Sequence, residues 1–234
     1  MLHPGMDLLL DDGKLLLQAE RPNLNIGIPY SGLQEENICA RVIRGGVLKS
    51  GKSLALPGVT VKMPAMTDQD LENIREAGNY GVTGLMQPFV RNAEDLAEVK
   101  QAILDAGWPQ IRLFAKIENL SGVENLESFF PLADEIVIAR GDLGNAMPLW
   151  ELPRVQKQIE QKCRQAGVPF MVVTQMLASM ERSQVPTRAE VSDIYNAVAD
   201  GAASVMVPGE TAVGQYPVEV IRYLARTAYS VTEL

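Results

Sequence analysis

The chain has 234 residues, 47% of them hydrophobic, with 29 acidic against 21 basic residues and a formal net charge of −8. Such a balance suits a soluble globular chain with a sizeable core, and it works against binding nucleic-acid phosphates or anionic membranes. Two cysteines in unrelated contexts and a single histidine, His3, argue against a disulfide framework, His-based triads and His-rich metal sites.

The first residues alternate leucines with Asp7, Asp11 and Asp12. They lack the basic start and small-residue cleavage site of a signal peptide, and no apolar run reaches the ~18 residues of a spanning helix. A cytoplasmic location with reduced thiols is therefore expected. Over residues 1–60, short runs (MDLLL, KLLLQAE, NICARVI, SLAL) are punctuated by DDG, RPN, GIPYSG, RGG and KSGK. That texture predicts a β-rich segment of small antiparallel strands, distinct from a second domain over 61–234. LPGVTVKMPAMT reads as the extended connection between them, and Thr67 or Asp68 as the cap of a helix over DQDLENIREAGNYG, with Leu71, Ile74 and Ala77 as its apolar stripe.

Strands and helices then alternate to the end. Strands are expected near 82–87, 111–117, 135–140, 168–174 and 203–207, with helices near 93–106, 122–130, 151–166, 187–199 and 217–230. Short turns between strands that are apolar on both faces imply a parallel sheet. Glu118, Asp142, Thr174 and Glu210 each fall just past a strand, about one βα unit apart. Polar groups at four successive C-terminal strand ends favour an α/β fold of the partial (β/α)8, TIM-type, with about five βα units, over an open doubly wound sheet.

The chemistry concentrates in residues 111–144, IRLFAKIENLSGVENLESFFPLADEIVIARGDLG. Strand alternation places Phe114, Lys116 and Glu118 on one face, and Ile136, Ile138, Arg140 and Asp142 on one face of the next strand. Two such strands side by side would gather Lys116, Glu118, Arg140 and Asp142 above one rim of the sheet. Glu118 and Asp142 suit a magnesium or manganese ion, which takes one or two carboxylates and fills its octahedron with water and substrate oxygens. Lys116 would stabilise a developing oxyanion, and Gly141 and Gly144 let backbone amides approach an anion. Thr174 would orient or relay a proton, while Glu210 and Thr211 hold the rim. Structural alternatives stand beside these: Asp142 as a helix cap, Thr174 as a packed β-branched residue, Glu210 as a loop anchor.

The blocks GGVLKSGKSLALPG, KIENLSGVENL, IVIARGDLG, VVTQMLASM and PTRAEVSDIYNAVADGAASVMVPGETAVGQYPVEVI closely resemble the pyruvate kinase family, in order and spacing, over essentially the whole chain. The resemblance implies Lys116 as the catalytic lysine facing the transferred phosphoryl group and the enolate oxygen. It implies Glu118 and Asp142 as ligands of Mg2+ or Mn2+, and the Gly141 and Asp142 amides as the seat of the keto-acid carboxylate. Thr174 would lie beside the methylene carbon, and Lys52 would reach the nucleotide phosphates. The reaction implied is phosphoryl transfer between phosphoenolpyruvate and ADP. The alternatives are metal-dependent enolisation of pyruvate or decarboxylation of oxaloacetate, and a non-catalytic keto-acid or partner-binding role.

Departures from the family pattern matter too. The family's first three barrel strands, with their Asn-x-Ser-His potassium segment, have no counterpart, nor do half of the inserted β domain and the C-terminal domain. Pro208 and Pro88 replace serines, deleting a hydroxyl and an N–H at each position. Potassium dependence is thereby called into question. Five strands cannot close an eight-stranded barrel, so a homo-oligomer, a dimer, is expected to cover the open side.

Overall fold

The computed structural model describes residues 3–20, 39–59 and 63–232, in two compact units: 1–62 with 145–147, and 63–144 with 148–234. The RPN and GIPYSG punctuation lies outside the described residues.

The first unit carries a four-stranded antiparallel sheet of β1 (Asp7–Leu10), β2 (Leu15–Glu20), β3 (Cys39–Arg44) and β4 (Leu54–Ala55), in the order β3-β2-β1-β4. The small antiparallel strands expected here are present. β1 and β2 form a hairpin that pairs Leu10 with Leu15, and Asp11, Asp12 and Gly13 in the turn all have positive φ. Consecutive positive φ values match the twist of a tight hairpin, which explains the Asp-Asp-Gly tip.

In the second unit, α1 (Asp68–Ala77) opens on Thr67, whose hydroxyl accepts from the Asp70 N–H while Asp70 accepts from the Thr67 N–H. The helix ends earlier than expected, with Gly78–Tyr80 forming one 3₁₀ turn. There the Trp108 ring covers Gly78 so closely that a Cβ would lie 2.2 Å from it, and Trp108 Nε1 donates to the Arg75 carbonyl at 3.0 Å.

The strands are β5 (Gly84–Gln87), β6 (Arg112–Ile117), β7 (Glu135–Ala139), β8 (Phe170–Val173) and β9 (Ser204–Met206). They form one parallel sheet in sequential order. A doubly wound sheet would reverse direction at a switch point, whereas this sheet advances one way, as barrel strands do. Ser204 of β9 donates to Glu135 of β7 across β8, and Arg112 of β6 pairs with the same carboxylate at 3.2 Å. Side chains two strands apart meet on the concave side of a curved sheet. The unit is a partial βα barrel.

The helices are α2 (Ala93–Asp105), α3 (Leu120–Glu124), α4 (Leu126–Phe129), α5 (Arg140–Asn145), α6 (Leu152–Ala166), α7 (Arg188–Ala199), α8 (Pro208–Ala212) and α9 (Pro217–Ser230). The single helix expected over 122–130 is two short ones joined at Asn125, whose backbone leaves the helical region (φ −93°, ψ 7°); the first begins at Asn119, which caps it by accepting from the Gly122 N–H at 2.8 Å. Leu96, Val99, Ile103, Leu113, Ile117, Ile136, Ile138, Ile159, Phe170, Val172 and Ile194 are buried, and each apolar side chain of this size contributes about 1.5–3 kcal/mol.

The alternation drawn through Ile136, Ile138, Arg140 and Asp142 does not hold. The strand stops at Ala139 and Arg140 begins α5, so residues 140 and 142 follow a helical period. Lys116 pairs with Val137, so Val137 and Ala139, not Ile136 and Ile138, share its face, within an apolar layer of Val137, Ala139, Met171 and Val173 with Phe114 and Met206. Since all five residues of β7 are buried, neither face carries a solvent-facing marker.

Candidate functional site

Lys116 is the penultimate residue of β6, and Glu118 follows the strand directly. Their side chains pair, Nζ to Oε1, at 2.7 Å; the glutamate side chain is 1% exposed and the lysine 28%. The other carboxylate oxygen, Oε2, accepts from the Phe89 N–H at 2.8 Å. Phe89 has φ of 51°, in the left-handed region that a bulky residue enters only under compensation, and this hydrogen bond supplies part of it. The same β5–α2 loop is fastened further along: Asn119 Nδ2 donates to Val90 O at 3.2 Å and Asn125 Nδ2 to Arg91 O at 2.9 Å.

At the neighbouring strand ends, Arg140 grips the carbonyl of Thr174 through Nε at 3.2 Å and Nη2 at 2.7 Å, while Nη1 pairs with Asp193 at 2.7 Å. Thr174 and Gln175 have φ of 82° and 58°, so the chain leaves β8 through two successive left-handed non-glycine residues. Gly141 lies against this turn; a Cβ on it would sit 2.9 Å from Thr174 Cγ2. Asp142 is in the first turn of α5, beside Gly141. The structure thus brings Lys116 to Glu118, and Gly141 and Arg140 to Thr174, on the C-terminal ends of the adjacent strands β6, β7 and β8.

Glu210 is buried, and its Oε1 accepts from the Leu177 N–H at 3.0 Å, tying the loop after β8 to α8. That matches the loop-anchor alternative. Thr211 Oγ1 donates to Val207 O at 2.6 Å, and Pro208 occupies the start of α8, where a missing N–H costs no helical hydrogen bond. Lys52 belongs to the other compact unit, where its Nζ lies 2.8 Å from Asp11 Oδ1.

Sequence reasoning missed two contributors, Phe89 and Asp193, and one buried polar side chain, Gln87. Phe89 acts through a backbone N–H, which no side-chain pattern records. Asp193 sits within α7 among residues of ordinary helical pattern, with no local signal. Gln87 ends β5 buried, its Nε2 bound to Asp95 O at 3.0 Å and its Oε1 without a partner among the described residues.

The donors offered here are hard carboxylate oxygens. No cluster of three His, Cys, Asp or Glu forms a metal cage among the described residues. A magnesium or manganese ion does not require one, since it keeps several waters and takes one or two carboxylates plus substrate oxygens. Glu118 and Asp142 fit that demand in chemistry, and a thiophilic or imidazole-seeking metal finds nothing comparable at these strand ends.

The family model described as pyruvate kinase, barrel domain, matches residues 1–221. The chain is 38% identical over 227 residues to a pyruvate kinase of Sporosarcina psychrophila, covering 97% of this chain and 37% of that protein. It is 39% identical over 224 residues to one of Geobacillus stearothermophilus, covering 96% and 37%, and 38% identical over 229 residues to one of Mycobacterium intracellulare, covering 98% and 46%. The chain spans less than half the length of these curated relatives. A match over nearly all of its own residues, together with the partial barrel described above, establishes that the chain belongs to the pyruvate kinase family.

Proposed function

We propose that this chain carries out Mg2+-dependent phosphoryl transfer between phosphoenolpyruvate and ADP, giving pyruvate and ATP. The observation that carries this reading is the Lys116–Glu118 pair at the end of β6. An ammonium ion held there can lie against the transferred phosphoryl group and the enolate oxygen, where negative charge develops. Glu118 and Asp142 are the residues that would hold the divalent ion, which when bound neutralises substrate charge. The backbone amides of Gly141 and Asp142 would seat the carboxylate. Thr174, fixed through its carbonyl by Arg140, would present its hydroxyl to the carbon that is protonated. Lys52 would meet the nucleotide phosphates.

The test is a coupled assay of pyruvate formation with and without Mg2+ and K+, run beside Lys116→Ala. The expected result is Mg2+-dependent turnover that this variant loses. Exchange of pyruvate methyl protons with solvent in the absence of ADP phosphorylation would instead select metal-dependent enolisation, which needs only the strand-end residues of the second unit.

A homodimer accompanies this reading. Among the described residues, β5 pairs only with β6 and β9 only with β8, so both edges of the parallel sheet present unpaired backbone groups. Light scattering coupled to size exclusion is expected to find a dimer; a cooperatively melting monomer would overturn it. A cytoplasmic site of action rests on the free thiols of Cys39 and Cys163, and no helix among the described residues is long and apolar enough to cross a membrane.

A further inference from the structure

In the β1–β2 turn, Asp11 and Asp12 adopt φ of 49° and 55°, a conformation costly for residues with a Cβ unless their side chains repay it locally. The compensation is visible. Asp11 Oδ1 lies 2.8 Å from Lys52 Nζ, and its Oδ2 lies 3.3 Å from Lys14 Nζ. The Asp11 N–H donates to Ser53 O at 3.1 Å, the Asp12 N–H to Ser53 Oγ at 3.0 Å, and that hydroxyl to Asp12 Oδ1 at 3.0 Å. The hairpin tip is therefore clasped, by both backbone and side chain, to the Lys52–Ser53 segment.

We propose that Asp11 is the positioning residue for Lys52, holding its ammonium group in place for the phosphates of a nucleoside diphosphate. This rests on the reading of Lys52 as the nucleotide-contacting lysine. An ammonium ion has three N–H donors, so an ion pair with Asp11 still leaves donors for a phosphate. Lysine has much rotamer freedom to lose on binding; anchoring it beforehand removes that cost from the ligand. Asp12 also acts on Lys52, so the two carboxylates and two ammonium groups of the tip balance, and an anion would be met by the presented Lys52 ammonium itself and not by a net charge of the cluster. Asp11 is 9% exposed, while the Lys52 side chain is 37% exposed and accessible. The hydrogen bond to Lys52 holds the Asp11 carboxyl below its ordinary range against the opposing effect of burial, with Lys14 assisting; the same bond raises the Lys52 ammonium. The pair thus stays ionised around neutrality.

The experiment is calorimetric titration of Mg-ADP into the full chain, comparing wild type, Asp11→Asn, Lys52→Ala and the double variant, with Mg-oxalate as a second titrant and a thermal melt of each. Asparagine tolerates left-handed φ, and Asp11→Gly, which relieves the backbone altogether, serves if the first variant folds poorly. Asp11→Asn is expected to weaken ADP binding roughly tenfold, the scale of one charge-assisted hydrogen bond, with oxalate binding within about twofold. The double variant should bind ADP no more weakly than Lys52→Ala alone. A purely structural role would lower ADP and oxalate binding together and would show no coupling between positions 11 and 52. Unchanged or tighter ADP binding by Asp11→Asn, beside weakened binding by Lys52→Ala, overturns the positioning role and leaves the nucleotide reading of Lys52 intact. If the wild type takes up no ADP, or Lys52→Ala binds it normally, that reading fails and the proposal with it.

Discussion

The carboxylate of Glu118 is divided between two donors from different parts of the sheet, with Lys116 Nζ on one oxygen and the Phe89 N–H on the other. Each donor fixes what the other needs. The lysine is oriented by a carboxylate that cannot swing away, and Phe89 keeps a left-handed backbone because a buried acceptor faces its N–H. A candidate catalytic lysine thereby acquires its direction from the tip of β5 as well as from its own strand.

Removing both partners should therefore cost less than the two single losses added together. Lys116→Met leaves a buried carboxylate with a single donor, and Glu118→Gln turns an amide NH₂ or an uncharged oxygen toward the ammonium. Each is expected to cost about 1–3 kcal/mol in urea denaturation, and the double variant less than the sum of the two. In the pyruvate-formation assay, Lys116→Met should lower the rate by roughly 10²–10³-fold, as loss of a group stabilising developing negative charge does.

How much of this was legible in the sequence varied with the physics of each residue. Lys116 and Glu118 interrupt an apolar run at alternate positions, so period two alone put them together. The sequential order of five parallel strands followed from short connections between apolar strands. Asp142 was harder, because EIVIA is buried on both faces and offers no polar register to extend, and the glycine-bearing ARGDLG gives no helical signal before α5 begins at Arg140. The Thr174 turn was illegible for another reason: threonine by itself predicts extended backbone, whereas here its φ is 82° and its carbonyl is held by Arg140, a contact between residues 34 positions apart. Lys52 entered through family resemblance, and only the structure revealed its carboxylate partner.

The two thiols should differ in reactivity. Cys163 is fully buried in α6, and burial together with the charge of Glu160 pushes its pKa up to about 12. At pH 8 it holds almost no thiolate, the species that alkylating agents attack. Iodoacetamide is expected to modify half-buried Cys39 in the native chain and to reach Cys163 only after unfolding; peptide mass spectrometry of the labelled protein checks the order.

Acid sensitivity should run through Glu190. Burial raises its pKa, but hydrogen bonds from the Ser179 and Thr187 side chains and backbone N–H groups outweigh burial and leave the carboxyl below its ordinary value of 4.5. A lowered native pKa means that the ionised form stabilises the fold fully above the unfolded value, and that this contribution is lost as pH falls through the native one. Thermal melts of the wild type should accordingly drop faster below pH 4.5 than those of Glu190→Gln, which is less stable at pH 7 but has no such titration to lose.

Gly141 and Thr174 make a reciprocal pair that can be tested by suppression. The missing Cβ of residue 141 leaves room for Thr174 Cγ2, and a methyl group placed 2.9 Å away must displace either the threonine or the start of α5. Arg140 resists the first movement, since it holds the Thr174 carbonyl by two N–H bonds and is itself tied to Asp193. Gly141→Ala is therefore expected to destabilise the chain by about 1–3 kcal/mol, the range for overpacking. Its effect on turnover should be larger than on stability, because the residue pushed aside is the one whose hydroxyl we propose faces the carbon that is protonated. Thr174→Ser deletes Cγ2 and keeps the hydroxyl. Combined with Gly141→Ala it should recover most of the lost stability and part of the rate, whereas Thr174→Val, which keeps the bulk and loses the hydroxyl, should recover neither. Equal stabilities for the Gly141→Ala single variant and its combination with Thr174→Ser would show that contact with Cγ2 is not what limits residue 141.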